Sequence, residues 1–132
     1  MTELTAAIDL SKEDTPVFLA TSEAGGQPHI MYGGTLEQMD PNHVTLEGWL
    51  CLITRQNIES NPYVSLVVRD QSGTRGFQLT GAVEDVAELA VLNGYAPAMQ
   101  EGVLPKTERK LVIRIDKVLD FSRGPHTDEP AK

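Results

Sequence analysis

Gly48-Trp49-Leu50-Cys51-Leu52-Ile53-Thr54-Arg55-Gln56-Asn57-Ile58-Glu59-Ser60-Asn61-Pro62-Tyr63-Val64-Ser65-Leu66-Val67-Val68 is the stretch on which the fold turns. Its start closes the run Val44 to Leu50, which reads as a strand. Thr54 then stands as a helix cap before the polar segment Arg55 to Asn61, whose one apolar anchor is Ile58, and Pro62 blocks its continuation. Val64, Leu66 and Val68 alternate with Ser65 and Val67, the period of a strand. The stretch is therefore strand, short capped helix, strand.

Upstream, Leu4, Ala7 and Ile8 fall near helical spacing within Thr2 to Leu10, with Thr2 as a cap. Pro16 to Ser22 is a compact apolar run ending at Glu23-Ala24-Gly25-Gly26-Gln27, where paired glycines permit a tight hairpin, and His29 to Thr35 is the returning strand. Glu37 to His43 reads as a turn because Asp40, Pro41 and Asn42 each favour one. Downstream, a turn at Gln71-Ser72-Gly73 leads into the alternation of Phe77, Leu79, Gly81 and Val83. Ala87 to Gln100 is helix-prone but interrupted by Gly94 and Pro97, so a helix ending near Asn93 or two short pieces is expected. Leu111, Ile113 and Ile115 begin a last strand that runs toward Phe121. The expectation is a mainly β (α+β) domain over residues 1–123, with six antiparallel strands closed into a small barrel and short peripheral helices. Residues 124–132 read as a disordered polar tail.

The 132 residues suit one domain. A chain of this size buries about two-thirds of the surface its unfolded form exposes, enough for one core but little for a deep private pocket. A large ligand therefore calls for a second subunit. Nineteen acidic against eleven basic residues give a net charge of −8 with no Lys/Arg cluster, which excludes the electrostatic footprint of nucleic-acid binding. The same balance disfavours an anionic membrane surface, and no apolar run approaches the roughly 18 residues a spanning helix needs. Met1 to Asp14 lacks the basic start and apolar centre of a secretion signal, so a cytoplasmic location is expected. The single cysteine, Cys51, allows no intrachain disulfide and agrees with a reducing compartment.

His29, His43 and His126 are too far apart in sequence for metal-ligand spacing, so no metal site is expected. Phosphate-loop, dinucleotide and nucleophile-elbow motifs are missing, and the carboxylates lie mostly in turns and on helix faces. One constellation carries chemistry. The helix entered after Trp49 offers free backbone N–H groups and a partial positive charge, which favour an anion such as a phosphate. Thr54 can add a hydroxyl and Arg55 a planar fork of donors. On these residues alone, a simple helix cap with a surface arginine is the favoured reading, and the physics only permits a phosphate site.

Val17-Phe18-Leu19-Ala20-Thr21, Gly26-Gln27-Pro28-His29-Ile30, Thr54-Arg55-Gln56-Asn57-Ile58 with Asn61-Pro62-Tyr63 to Asp70, and Gly76-Phe77-Gln78-Leu79-Thr80-Gly81-Ala82 occur in an order that resembles the pyridoxamine 5′-phosphate oxidase-like flavin-binding split barrels. The resemblance spans Pro16 to Phe121, and the layout is most similar to the small bacterial FMN-binding proteins of that group. It implies a six-stranded split β-barrel forming a homodimer, with FMN in a groove at the subunit interface. It further implies that Tyr32, Gly33 and Gly34 on one strand and Glu47, Gly48 and Trp49 on another flank the isoalloxazine ring, while Thr54, Arg55 and Asn57 face the phosphate. Gly33 and Gly34 fit either close approach of a flat ring or a bend in a barrel strand. Trp49 fits a ring wall, a core residue or an interface residue. Where such proteins usually carry Lys or Arg just before the helix, this chain has Leu52, Ile53 and Thr54, leaving Arg55 and, from a loop, Arg75.

The expectation is thus an FMN-binding protein of oxidoreductase type, in which the flavin performs electron or hydride transfer and no side chain acts as acid or base. The small-molecule substrate or electron partner is not written in the chain. Two alternatives stand beside it: a non-enzymatic split-barrel binding module, favoured by the missing basic residues, and a deazaflavin-dependent reductase sharing the groove.

Overall fold

The computed structural model describes residues 2–13, 15–49, 51–91, 107–122, 124 and 129–131. Its elements are α1 (Thr2–Ser11), β1 (Phe18–Ser22), β2 (Pro28–Tyr32), β3 (Thr35–Asp40), β4 (His43–Trp49), α2 (Leu52–Ser60), β5 (Tyr63–Arg69), β6 (Gly76–Val91) and β7 (Thr107–Asp120). The strands form one sheet in the order β2-β1-β5-β6-β7-β4-β3, with antiparallel pairing throughout. Its two outermost strands, β2 and β3, are consecutive in the chain and joined by Gly33 and Gly34 alone. A two-residue connection between opposite edges forces the sheet to curl until those edges meet at one corner. They do not pair, so the barrel is split.

Alternation places Leu36, Val44, Leu46, Leu66, Leu79, Leu111 and Ile113 inside, all of them almost fully buried. Each such side chain contributes about 1.5–3 kcal/mol by leaving water. α1 lays Leu4, Ala7, Ile8 and Leu10 into the same core. Lys12, just beyond it, donates from Nζ to the Leu36 carbonyl at 2.8 Å, fastening the helix end to β3. α2 docks through polar groups instead: the buried Asn57 donates from Nδ2 to Thr21 Oγ1 at 3.0 Å, and Asn61 donates to Ser22 Oγ at 2.9 Å, both on β1.

The mainly β, antiparallel class expected from the sequence is found, with corrections of detail. Seven strands replace six. The expected single strand His29 to Thr35 is split at Gly33 (φ 120°) and Gly34 (φ 88°), and its halves lie on opposite edges of the sheet. The turn expected over Glu37 to His43 narrows to Pro41 and Asn42, because β3 pairs with β4 from Thr35 through Asp40. α2 starts at Leu52 with Cys51 as its N-cap, not at Thr54, whose side chain is buried within the first turn. The helix expected from Ala87 is instead strand as far as Val91, held by pairing with Thr107 to Lys110, so tertiary pairing overrides helix propensity. Residues 92–100 of that expected helix lie outside the described residues. Of the expected tail, Glu129 and Ala131 hydrogen-bond with the backbone of Asp120 and Val118, and Pro130 bridges Leu119.

Gly81 stands between Val64 on β5 and Ile115 on β7, at a register shift in β6, and a Cβ there would overlap the Arg114 carbonyl. Gly81→Ala should therefore lower stability by about 3 kcal/mol, the upper end of the overpacking range, as read from urea denaturation followed by circular dichroism. Asn57→Ala should cost about 1–3 kcal/mol in the same assay, because it leaves the buried Thr21 hydroxyl without its donor.

Candidate functional site

The corner where the sheet edges approach brings together the Gly33–Gly34 link, the end of β4 and the approach to α2. Thr35 pairs with Glu47, which sets Gly34 beside Gly48. A Cβ on Gly48 would lie 3.0 Å from Gly34 Cα, and one on Gly34 would lie 2.9 Å from the Glu47 carbonyl oxygen and 3.1 Å from Leu46 Cδ1. These two glycines therefore serve close backbone packing at the bend. Gly33 differs, since a Cβ there would meet no described residue within 4 Å, and its N–H donates to the Val17 carbonyl at 2.8 Å. The open side of the corner is at Gly33.

Tyr32 ends β2 and is 72% exposed, its ring 6.1 Å from that of Phe18 in a tilted arrangement. Ile30, two residues earlier on the same face, is 65% exposed. Across the sheet, Glu47 pairs with Lys110 and Gly48 with Arg109 on β7, and Lys110 Nζ lies 3.9 Å from Glu47 Oε1. Trp49 pairs through its backbone with Glu108; its side chain lies outside the described residues.

Cys51 has the extended backbone of an N-cap, but its side chain makes no capping hydrogen bond. The first helical bond runs from Arg55 N–H to the Cys51 carbonyl at 3.1 Å, so the amides before Arg55 stand at an end that no side chain caps. Cys51 Sγ is instead 3.0 Å from Thr54 Oγ1 and 3.4 Å from His29 Nε2. Leu52 and Ile53, in the first turn, are about half exposed. Arg55 Nε is buried and, among the described residues, has no hydrogen-bond partner, and the same holds for Arg109 Nε.

Of the residues proposed from sequence, Gly33, Gly34, Glu47, Gly48 and the backbone of Trp49 gather at the corner, with Tyr32 at its exposed edge. Thr54 and Asn57 occupy the buried face of α2, where Thr54 meets Cys51 and Asn57 meets Thr21. Arg75 sits at the β5–β6 turn with its guanidinium 5.4 Å from the Phe77 ring centroid. The sequence reading passed over Arg109 and Lys110. Their signal was a basic pair immediately before the apolar alternation of β7, and pairing with β4 carries it to Gly48 and Glu47. Among the described residues, no group of three His, Cys, Asp or Glu could hold a metal ion, and no helix is long and apolar enough to cross a membrane.

A sequence profile described as pyridoxamine 5′-phosphate oxidase matches residues 4–120. No curated protein matches the sequence. Among solved structures, HupZ of Group A Streptococcus is similar at 20% identity with a TM-score of 0.66, over 93% of this chain and 97% of that one. A protein from Lactobacillus delbrueckii described as a pyridoxamine 5′-phosphate oxidase is similar at 23% identity and TM-score 0.63, over 86% and 89% of the two chains. An FMN-binding protein from Syntrophomonas wolfei is similar at 14% identity and TM-score 0.59, over 94% and 87%. The fold is also that of an F420 reductase and of HutZ, the haem storage protein of Vibrio cholerae. With the profile extending over nearly the whole of the barrel, this chain belongs to the pyridoxamine 5′-phosphate oxidase family.

Proposed function

We propose that the protein binds FMN at the interface of a homodimer and works as a flavin-dependent oxidoreductase. The observation that carries this reading is the start of α2, where an uncapped helix end lies one turn from a buried Arg55 Nε with no partner. Buried donors are ordinarily satisfied. An anionic oxygen at the helix end would supply an acceptor for the backbone amides and for the guanidinium together. The residues present thus fit a phosphate group, with backbone amides and Arg55 replacing the side-chain cations usual before this helix. Arg109, with its own unpartnered Nε, adds positive charge on the strand beside Gly48.

The ring would take the open side of Gly33, between Tyr32 and the end of β4 at Gly48 and Trp49. Bound flavin supplies the electron or hydride transfer. The chain's residues then have three tasks: Arg55 and the α2 amides hold the phosphate, Gly33 lets a flat ring approach the backbone, and Glu47, beside Lys110, contributes charge at the edge of the site. Thr54 and Asn57 act through the fold, by fastening the helix whose end does the binding. The dimer is supported by Ile30 and Tyr32, large apolar groups that β2 leaves exposed on the strand at the sheet edge. A reducing, cytoplasmic setting suits the single exposed Cys51.

The F420 reductase among the similar structures favours a second reading, a deazaflavin in the same groove. The absorbance spectrum of the purified protein, followed by titration with FMN and with a deazaflavin, separates the two. Flavin bands or saturable FMN uptake are expected. Selective uptake of deazaflavin supports the second reading, a haem Soret band refutes both, and a colourless protein that ignores every cofactor is a binding module of another kind. Arg55→Glu should weaken FMN binding about 10–100-fold, matching the loss of one charge-assisted hydrogen bond. Flavin fluorescence reads the affinity, while an unchanged far-ultraviolet circular dichroism spectrum shows that the fold remains.

A further inference from the structure

At the opposite end of β4 from Gly48, groups from three other strands gather around His43. Asp40 comes from the end of β3, just past an irregularity in its pairing with β4 between Gln38 and Asp40. Glu84 comes from β6, at the register shift between Val83 and Asp85. Bulges of this kind re-aim side chains that regular pleating would point elsewhere. Here both deliver a carboxylate to the same imidazole: Asp40 Oδ1 lies 2.9 Å from His43 Nδ1, and Glu84 Oε1 lies 2.7 Å from His43 Nε2. β7 completes the cluster. Arg114 donates from Nη1 to Glu84 Oε2 at 3.3 Å and from Nε to Asp116 Oδ1 at 2.9 Å, and Lys117 adds positive charge near Asp116.

Ionised carboxylates only accept hydrogen bonds, so both ring nitrogens of His43 must donate. Neutral imidazole has one N–H and the imidazolium has two. The geometry therefore encodes a bound proton. When that proton leaves, one nitrogen becomes an acceptor facing a carboxylate, and one contact must open. Asp40 is held near the ring by the two-residue turn and by the N–H of Asn42, which reaches its Oδ1 at 2.8 Å. Glu84 has Arg114 as an alternative partner. The long-range contact is the one that opens.

We propose that His43 is a proton-operated clamp: protonated, it ties the β3–β4 hairpin to the β6 bulge, and on deprotonation it releases Glu84 and loosens the hairpin end. The hydrogen bonds to Asp40 and then Glu84 hold His43 above the ordinary imidazole value of 6.5, while the Asn42 N–H and His43 hold Asp40 below the ordinary carboxylate value. Because the folded-state value of His43 is raised, the clamp is complete below pH 6.5 and is lost as pH rises through the raised value.

The test is a nuclear magnetic resonance titration of the His43 ring nitrogens in the full chain from pH 5 to 9, with amide exchange of Ile115 followed in parallel. Ile115 donates to the Asn42 carbonyl at 2.7 Å and so reports the seat of the hairpin on β7. In the wild type, the His43 midpoint should lie above 6.5, and the Ile115 protection factor should fall as pH passes it. Glu84→Gln should lower the midpoint by about half a pH unit or more, since it removes one facing charge. In His43→Gln, the protection factor should no longer follow that titration. A wild-type midpoint at or below 6.5, a midpoint unmoved in Glu84→Gln, or Ile115 protection that ignores the titration would each overturn the clamp.

Discussion

Everything in this molecule depends on a link of two residues. β2 and β3 are neighbours in the chain but occupy opposite edges of a seven-stranded sheet. Gly33 and Gly34 are too short a connection to cross an open sheet of that width, where strands stand about 4.8 Å apart. The sheet must curl, and the corner where its edges approach is where, among the described residues, β2, the end of β4 and the approach to α2 come together. The positive φ angles of both residues and the 3.0 Å approach that a Cβ on Gly48 would make to Gly34 Cα explain why glycine occupies these positions.

Charge follows from that closure. An acidic chain can offer an anion only local positive potential, and in the function proposed here it would do so at a helix end left without a side-chain cap. The apolar Leu52 and Ile53 at that end are half exposed; Arg55 follows on α2, while Arg109 and Lys110 of β7 lie opposite Gly48 and Glu47. Such a proposed site would tolerate changes before the helix, because backbone amides are present whatever side chains the first turn carries. The His43 cluster at the far end of β4 has the opposite electrostatic character, with carboxylates from two bulges arranged around one imidazole.

Much of the fold was legible in the chain because alternation is a local property. Val64, Leu66 and Val68, Leu79, and Leu111 with Ile113 announced their strands by their spacing, and the structure buries them on one side of the sheet. Where the reading failed, a distant partner had decided. Ala87 to Val91 carries helix-prone residues, yet pairing with Thr107 to Lys110 makes it strand. Thr54 looked like a cap, yet the helix begins two residues earlier and buries that hydroxyl. The tie of Asn57 to Thr21, thirty-six residues away in sequence, was likewise invisible in the local pattern.

Local chemistry, then, was settled by the order of side chains: which runs alternate, where Pro62 ends a helix, where Gly33 and Gly34 permit a bend, and that the whole carries excess negative charge. Those properties act over a few residues and need no knowledge of neighbours. Register and burial belong to the folded state, because they arise from contacts between segments far apart in the chain. Only folding sets Arg109 opposite Gly48, leaves the buried Arg55 Nε without a partner, and brings Asp40 and Glu84 to the two nitrogens of His43.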